Sequence, residues 1–376
     1  MPGLTALASC VIAIVVTPAL AHGAAIVTDA DPNSMTLGDG NTLVDRGRVE
    51  GRADGDAGQI RFRLFAPSNP GCSTIGINTW VFQTFRAYPA GMTTFVSTGS
   101  GPAQPQTPTQ AGTYRWVADY FDEDLDPATD PPTAAGSCTD PTEDTDVSRA
   151  SPTLGITPST GAKLLSPTPT ITALAKLSGS ESRLAPSNTP GGSGWITFDI
   201  YGPSHNGENV NNCNGTPLTS IQMPFPTNDD ELRSNAYTPI RAGTYRWRAT
   251  YHGDANNDDD ASACEATTVA KATPTVTPVP SADSIRLGEA NLTDAVTVTD
   301  TAIPADPGPY TADIQFFIYG PEDTACAKPP RDTFVKNAAE VGAVTSPAYE
   351  PTGRGLYQWK VLYTGDANNE IGRAHV

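Results

Sequence analysis

The stretch AGTYRW at residues 111–116 returns unchanged at 242–247 and returns as RGLYQW at 354–359. A second motif, GDANN, follows two of these copies, beginning at Gly253 and Gly365. Gly243 and Gly355 are 112 positions apart, and Gly253 and Gly365 have the same offset. Because two separate motifs keep one offset, they indicate duplication of a whole structural unit rather than recurrence of a short motif. The chain is therefore limited to a fold that can be built several times in a row.

Aromatic residues occupy every second position of the repeated stretch and alternate with polar residues. A period of two is typical of a β-strand with one apolar face. Two interpretations are open: a carbohydrate-stacking surface built three times, or a strand that packs into three cores. The alternation with polar residues favours the core. The predicted core aromatics are Tyr114, Trp116, Tyr245, Trp247, Tyr357 and Trp359.

Each repeat also contains an alternating strand that ends at a proline and precedes a cysteine. These strands read QIRFRLFAP at 59–67, WITFDIYGP at 195–203 and DIQFFIYGP at 313–321. The chain has 34 Gly and 35 Pro, which favours short strands and many turns over helices. About seven short strands in roughly 110–125 residues is the count expected of an immunoglobulin-like sandwich.

The combined pattern of YGP, a cysteine, AGTYRW, GDANN and a second cysteine resembles the Ig-like repeats of bacterial secreted and surface proteins, particularly actinobacterial ones. The resemblance covers nearly all of the chain after the N-terminal segment. It implies an all-β fold of tandem immunoglobulin-like Greek-key β-sandwich domains that serve mostly as stalks and adhesive modules. Gly-x-Tyr at the start of the strand resembles a tyrosine corner, in which the hydroxyl bonds to the backbone just upstream. Trp116, Trp247 and Trp359 stand where antibody-type domains have a cysteine, so no inter-sheet disulfide is expected there.

Pro/Thr-rich linkers divide the chain into domains. ASPTL at 150–154 matches ATPTV at 272–276, and such segments favour an extended backbone. The predicted Ig-like domains are 24–149, 150–271 and a C-terminally truncated 272–370.

Both ends of the chain carry expectations of their own. Residues 1–23 read as a secretory signal peptide with cleavage after Ala21 or shortly beyond, although no basic residue precedes the apolar run. A lipobox-like LASC at 7–10 is the alternative. The final IGRAHV, residues 371–376, matches the translation of a sequencing adapter and is predicted to be an artefact. The strand GLYQWKVLYTG at 355–365 is then expected to have an unpaired edge.

Five cysteines remain after the signal peptide, and none lies in a CxxC motif. Exported chains use such cysteines for disulfides. The natural pairs fall one per repeat, Cys72 with Cys138 and Cys213 with Cys264. Cys326 is left over, and its partner is expected near position 376.

The acidic loops FDEDLDPATD at 121–130 and GDANNDDD at 253–260 have two interpretations. Carboxylates and amides are ligands suited to calcium, but their spacing does not match an EF-hand, and Gly-Asp-x-Asn-Asn is also ordinary turn chemistry. The candidate calcium ligands are Asp122, Asp124, Asp126, Asp254, Asp258 and Asp260. No other cofactor is expected.

A formal net charge of −18 argues against a nucleic-acid partner, because phosphate binding depends on clustered Lys and Arg. His205 and His252 are the only histidines away from the two ends, and neither is repeated, so no hydrolase triad is indicated. We therefore expect a non-enzymatic, secreted or cell-surface stalk or adhesive scaffold. Its expected partners are an extracellular protein or glycan, with envelope attachment through a missing C-terminal region. The alternative is an accessory binding region of a larger secreted enzyme.

Overall fold

The computed structural model describes residues 23–52, 57–75, 80–99, 106–165, 169–203, 213–302, 312–338 and 343–376. The predicted signal peptide lies outside these ranges apart from Gly23. The chain divides into two compact units, Met1–Arg149 and Ala150–Val376. Three domains are expected from the sequence, whereas the second unit contains both the second and the third of them. The reason is a set of close contacts between these two, described below.

The first unit is a two-sheet sandwich, here called the first sandwich. One sheet has the strand order β1-β3-β6, and the other has the order β2-β9-β7-β4-β5 with β8 added to β7. A short 3₁₀ helix, Pro141–Glu143, precedes the last strand. The strands are β1 Ala25–Asp31, β2 Ser34–Thr36, β3 Val44–Glu50, β4 Gly58–Phe65, β5 Phe82–Tyr88, β6 Val96–Ser97, β7 Gly112–Asp122, β8 Ala134–Ala135 and β9 Asp144–Ser148.

The second sandwich has the same arrangement. Its sheets have the orders β10-β12-β15 and β11-β18-β16-β13-β14, and β17 pairs with β16. The closing strand β18 runs antiparallel to β16 and parallel to β11. The strands are β10 Thr153–Pro158, β11 Ala162–Lys163, β12 Ala173–Ser178, β13 Trp195–Tyr201, β14 Thr219–Pro224, β15 Glu231–Arg233, β16 Gly243–His252, β17 Asp260–Ala261 and β18 Glu265–Ala270.

The third sandwich differs on one side. Its sheets have the orders β19-β20-β23 and β22-β21-β24-β25. The strands are β19 Thr275–Pro280, β20 Asp294–Thr299, β21 Asp313–Tyr319, β22 Asp332–Asn337, β23 Ala343–Thr345, β24 Gln358–Tyr363 and β25 Gly372–His375. The segment 371–376, which the sequence predicts to be an artefact, contains β25. Trp359–Tyr363 is therefore paired on the side that was expected to be open.

The repeated aromatic stretch forms the central strands β7, β16 and β24. Five of the six predicted core aromatics are at most 3% exposed, because their strand faces the opposing sheet. Trp116 and Trp359 contact Phe82 and Phe316 edge to face. Tyr357 is the exception, since it is only half-buried.

The tyrosine-corner prediction is confirmed in all three sandwiches. The Tyr114 hydroxyl accepts hydrogen bonds from the backbone N–H groups of Thr109 and Gln110. The Tyr245 hydroxyl donates to the Arg241 carbonyl at 3.1 Å, and the Tyr357 hydroxyl donates to the Gly353 carbonyl at 3.1 Å. Each ring therefore ties the start of its strand to the loop before it.

Both predicted disulfides are present. Cys72 is joined to Cys138 and Cys213 to Cys264, each with a Cα–Cα distance of 5.8 Å. Cys326 is a free thiol, and its Sγ lies 2.9 Å from Nε2 of His375. Within the described residues, no helix is long and apolar enough to cross a membrane.

Candidate functional site: the joint between the second and third sandwiches

The two GDANN loops, Gly253–Asn257 and Gly365–Asn369, fold in the same way around one aspartate. In the third sandwich, Oδ1 of Asp366 accepts hydrogen bonds from the backbone N–H of Asn368 at 2.7 Å and of Asn369 at 2.8 Å. The side-chain amide of Asn369 also donates to it at 2.9 Å. A β-carbon at Gly365, whose φ is +70°, would approach the Asn369 carbonyl to 2.8 Å. Glycine is therefore required there for both conformation and space.

The last asparagine of each loop holds a second segment of its own sandwich. Asn369 is 1% exposed and forms two hydrogen bonds to the backbone of Ala302, one through each side-chain atom. Asn257 makes the same pair of bonds to Glu181 in the second sandwich. A buried amide that uses both donor and acceptor is fully paired, and its replacement would leave backbone groups unsatisfied.

The other loop asparagine reaches across to the preceding sandwich. Oδ1 of Asn368, a residue that is 3% exposed, accepts a hydrogen bond from the backbone N–H of Ala242 at 3.0 Å. Ala242 directly precedes β16 of the second sandwich. The backbone of Ala272, in the linker, pairs with Asn368 and Glu370. The loop thus binds the linker and the end of the second sandwich at once.

Polar contacts at the rim of the joint continue this connection. Nζ of Lys163, at the end of β11, donates to Oγ1 of Thr273 at 2.6 Å, and Thr273 donates to the Glu370 carboxylate at 2.9 Å. Lys271 donates to the Asp366 carbonyl at 2.6 Å. The four side chains in these contacts are exposed, so each contact contributes little to stability alone.

Small apolar residues fill the centre of the joint. Ala272 is fully buried and Ala302 is 5% exposed, and both belong to the hydrophobic cluster of the second sandwich. Because alanine has a short side chain, the two sandwiches approach closely enough for backbone and amide groups to bond across the joint. The linker residue Ala272 is thus packed between the two sandwiches.

Most of the carboxylates predicted as calcium ligands accept hydrogen bonds from groups of the protein. Asp254 accepts hydrogen bonds from Leu184, Asn256 and Asn257, as expected of a turn-forming residue. Asp260 accepts from the Leu154 backbone and Asp258 from Ser151.

In the first sandwich, Asp122 accepts from Thr133, Asp126 accepts from its own turn at Ala128, and Asp124 is exposed. Across the described ranges, no group of three or more His, Cys, Asp or Glu side chains is arranged to hold a metal ion.

Three buried carboxyl groups were missed by sequence reasoning. Asp45 and Asp294 are fully buried, Glu143 is 3% exposed, and none of their side-chain oxygens has a hydrogen-bond partner within bonding distance among the described residues. Burial raises the pKa of Asp294 to about 6 and that of Glu143 to about 7. The pKa of Asp45 is raised well above its ordinary value by burial and by the nearby Glu143. A single acidic residue near the start of a strand carries no sequence signal of burial.

Comparison with known proteins identifies no family. No protein-family model matches the chain, and no curated protein matches it. Solved structures with a similar arrangement include a bacterial adhesin from Mobiluncus mulieris that contains intramolecular disulfide, isopeptide and ester bond cross-links. Its TM-score is 0.27 at 9% identity, over 76% of this chain and 96% of that one.

Two further structures are similar over most of the chain. The three N-terminal domains of the highly immunogenic outer capsid protein of bacteriophage RB49 give a TM-score of 0.23 at 11% identity, covering 94% of this chain and 96% of that one. The FN1–FN3 domains of chicken CNTN1 give 0.20 at 9% identity, covering 94% and 97%. All of these TM-scores are below 0.5.

Proposed function

We propose that this protein is an exported, non-catalytic scaffold whose Ig-like sandwiches form a stalk or adhesive module. The joint between the second and third sandwiches carries the proposal. A chain that only tethered two independent modules would not need a buried alanine in the linker or a buried asparagine, Asn368, that accepts a hydrogen bond from the backbone of the preceding sandwich. These features suit a protein whose purpose is to keep its domains at a set distance and angle.

Two other properties agree with a stalk at the cell surface. Disulfides form and persist in oxidising compartments, so the two cystines favour an exported location. The net charge of −18 keeps neighbouring copies apart and in solution. The aromatic residues that would have formed a sugar-stacking surface are mostly buried in the cores, which favours a structural role for the repeated stretch.

The proposal is tested by measuring how firmly the joint holds. Spin labels at Gln222→Cys and Lys336→Cys, both on exposed positions, report the distance between the two sandwiches in a full chain with Cys326→Ser. We expect one narrow distance distribution. Asn368→Ala combined with Lys163→Ala should broaden it severalfold, because the bonds to Ala242 and Thr273 are lost.

The exposed Asn291→Ala is the matched control and should leave the distribution unchanged. A broad distribution in the parent protein would refute a rigid stalk. An unchanged narrow distribution in the double variant would show that the joint does not set the geometry.

A further inference from the structure

Two buried carboxyl groups of the first sandwich lie against each other between its two sheets. Asp45 belongs to β3 of the smaller sheet and is fully buried. Glu143 ends the 3₁₀ helix directly before β9 of the larger sheet and is 3% exposed. Each of the two side chains affects the pKa of the other. Their contact therefore joins the two sheets at the start of the closing strand β9.

This contact depends on a proton. An ionised carboxylate accepts hydrogen bonds but donates none, so two ionised carboxylates in contact repel each other. The oxygens of Asp45 and Glu143 have no other hydrogen-bond partner among the described residues. Because an unpaired buried charge is costly, the pair is stable in the core only while at least one of the two groups carries a proton.

Burial raises the pKa of both groups. That of Glu143 rises to about 7, because burial outweighs the opposing effect of the Thr28 hydroxyl. The carboxylates of Asp140 and Asp29 act in the same direction as burial. The pKa of Asp45 is raised well above its ordinary value, first by burial and then by Glu143. Both groups therefore hold protons in a pH range where exposed carboxyl groups are ionised.

The arginines on the neighbouring strands have other partners. They are Arg46, which pairs with Asp31, Arg115, which pairs with Asp144, and Arg86, which donates to the carbonyls of Ser97 and Thr98. Within the described part of the chain, none of them forms a hydrogen bond with Asp45 or Glu143. The contact is thus balanced by a proton and not by an arginine.

The second sandwich lacks both halves of this contact. In place of Asp45 it has Ala173, and the backbone N–H of each donates to a hydroxyl. Glu265 corresponds to Glu143, because each lies two positions before the threonine that faces the tyrosine of the central strand. Glu265 is exposed. The glutamate is therefore buried in the sandwich that has an aspartate to face it and exposed in the one that has alanine, which supports the pairing as the reason for its burial.

The strand that follows Glu143 closes the larger sheet. β9 pairs with β7 and with β2, and its Thr145 and Val147 are at most 3% exposed. Without the contact to Asp45, the start of β9 stays attached to its own sheet but no longer to β3. A strand with fewer attachments opens more often, because local opening depends on the contacts that must break.

We propose that Asp45 and Glu143 form a proton-dependent clasp, which holds β9 closed while the pair is protonated and lets it open when the pair ionises. The closed sandwich binds more protons than the opened one, so the clasp is firmest in mildly acidic surroundings and weakens as the pH rises through neutrality. The clasp lies within the first sandwich and does not depend on the joint between the second and third, so either proposal can fail alone.

Hydrogen exchange of the full chain between pH 5 and 8, corrected for the intrinsic exchange rate, tests the clasp. We expect the protection of β9 peptides to fall at least about tenfold per pH unit between pH 5 and 7, because the open form releases at least one proton that the closed form keeps. Peptides from β18 of the second sandwich are the internal reference. Their protection should stay within about threefold over the same range, since no carboxyl group occupies the position of Ala173.

Amides of the same shape distinguish a shared contact from two independent buried acids. Asp45→Asn and Glu143→Gln each offer an N–H to the remaining carboxylate, so either change alone should remove most of the fall in protection. The double variant should keep the protection of β9 within about threefold over the whole range. Glu265→Gln, at the exposed equivalent of Glu143, is the matched control and should leave the profile unchanged.

Two results would overturn the clasp. One is a flat profile for β9 in the parent protein. The other is a pair of single-variant effects that simply add up to the effect of the double variant, which would show two separate buried acids. Protection of β9 at pH 5 shows that each variant is folded, and the contrast between β9 and β18 in the parent protein decides the proposal independently of any variant.

Discussion

Trp247 shows what a single repeated residue does in this fold. It lies on β16, is fully buried, and packs within a cluster that includes Ile200, Phe198 and Ala249. Its indole N–H has no hydrogen-bond partner among the described residues. The side chain therefore stabilises the second sandwich through volume and apolar area, and not through a polar contact.

Replacing this side chain separates the core from the surface interpretation of the aromatic stretch. Trp247→Ala should lower the free energy of unfolding of the second sandwich by roughly 3–5 kcal/mol, because the cavity cannot close completely. Hydrogen exchange of peptides from β13 measures the loss. Trp80→Ala, at a tryptophan that is 39% exposed, is the control and should change stability by less than about 1 kcal/mol. A Trp247→Ala protein of normal stability that had lost binding to glycans would refute the core role.

At the scale of elements, the strands β3, β12 and β20 occupy equivalent places but differ at one position. The backbone N–H of Asp45, Ala173 and Asp294 donates to a hydroxyl of Thr98, Ser234 and Ser346 respectively. The second sandwich has alanine where the other two bury a carboxyl group. Since the backbone contact is the same in all three, Asp294→Ala changes the buried carboxyl group without removing this hydrogen bond.

The third sandwich should therefore lose stability between mildly acidic and neutral pH. Burial raises the pKa of Asp294 from its ordinary 3.8 to about 6. Between these two pKa values, the Asp294 carboxyl is ionised in the unfolded chain but still protonated in the folded chain. Its contribution to the stability of the folded state is therefore complete below about pH 4 and is lost as the pH rises through 6. We expect the free energy of unfolding of the third sandwich to decrease by roughly 3 kcal/mol. Hydrogen exchange of β21 peptides between pH 4 and 8 measures this decrease.

Asp294→Ala, which copies the second sandwich, should flatten this profile and raise stability at neutral pH. Asp283→Ala, at an exposed position in the same sandwich, should leave the profile unchanged. If the parent protein shows a flat profile over this range, Asp294 is not buried as described.

For the whole molecule, the disulfides limit how far the first and second sandwiches extend under load. The first closes a sequence separation of 66 residues and the second one of 51, whereas Cys326 has no disulfide partner. With its disulfide intact, an unfolded first or second sandwich would extend only through the residues outside the enclosed loop. In the chain-entropy model each cross-link also stabilises its sandwich by about 4 kcal/mol.

Single-molecule stretching of the full chain tests this mechanical property. Reduction should lengthen the unfolded first sandwich by roughly 240 Å and the second by roughly 180 Å, at about 3.6 Å per residue, and should leave the third unchanged. The double variant Cys213→Ala, Cys264→Ala should show the added length of the second sandwich without reductant. Equal extension before and after reduction, or peptide maps that join cysteines of different repeats, would contradict the pairing.

The sequence by itself determined the all-β class, the two cystine pairs, the tyrosine corners and the burial of most of the repeated aromatics. These features follow from local periodicity and from motifs that recur at matched offsets, so no knowledge of distant neighbours was needed. The tertiary structure alone decided what Asn368, Asn369 and Asp294 do, because an amide or carboxyl group acquires its role from the segments packed against it. Tyr357 illustrates the difference: its position in the repeat predicts a core residue, but its exposure depends on whether a strand lies across it.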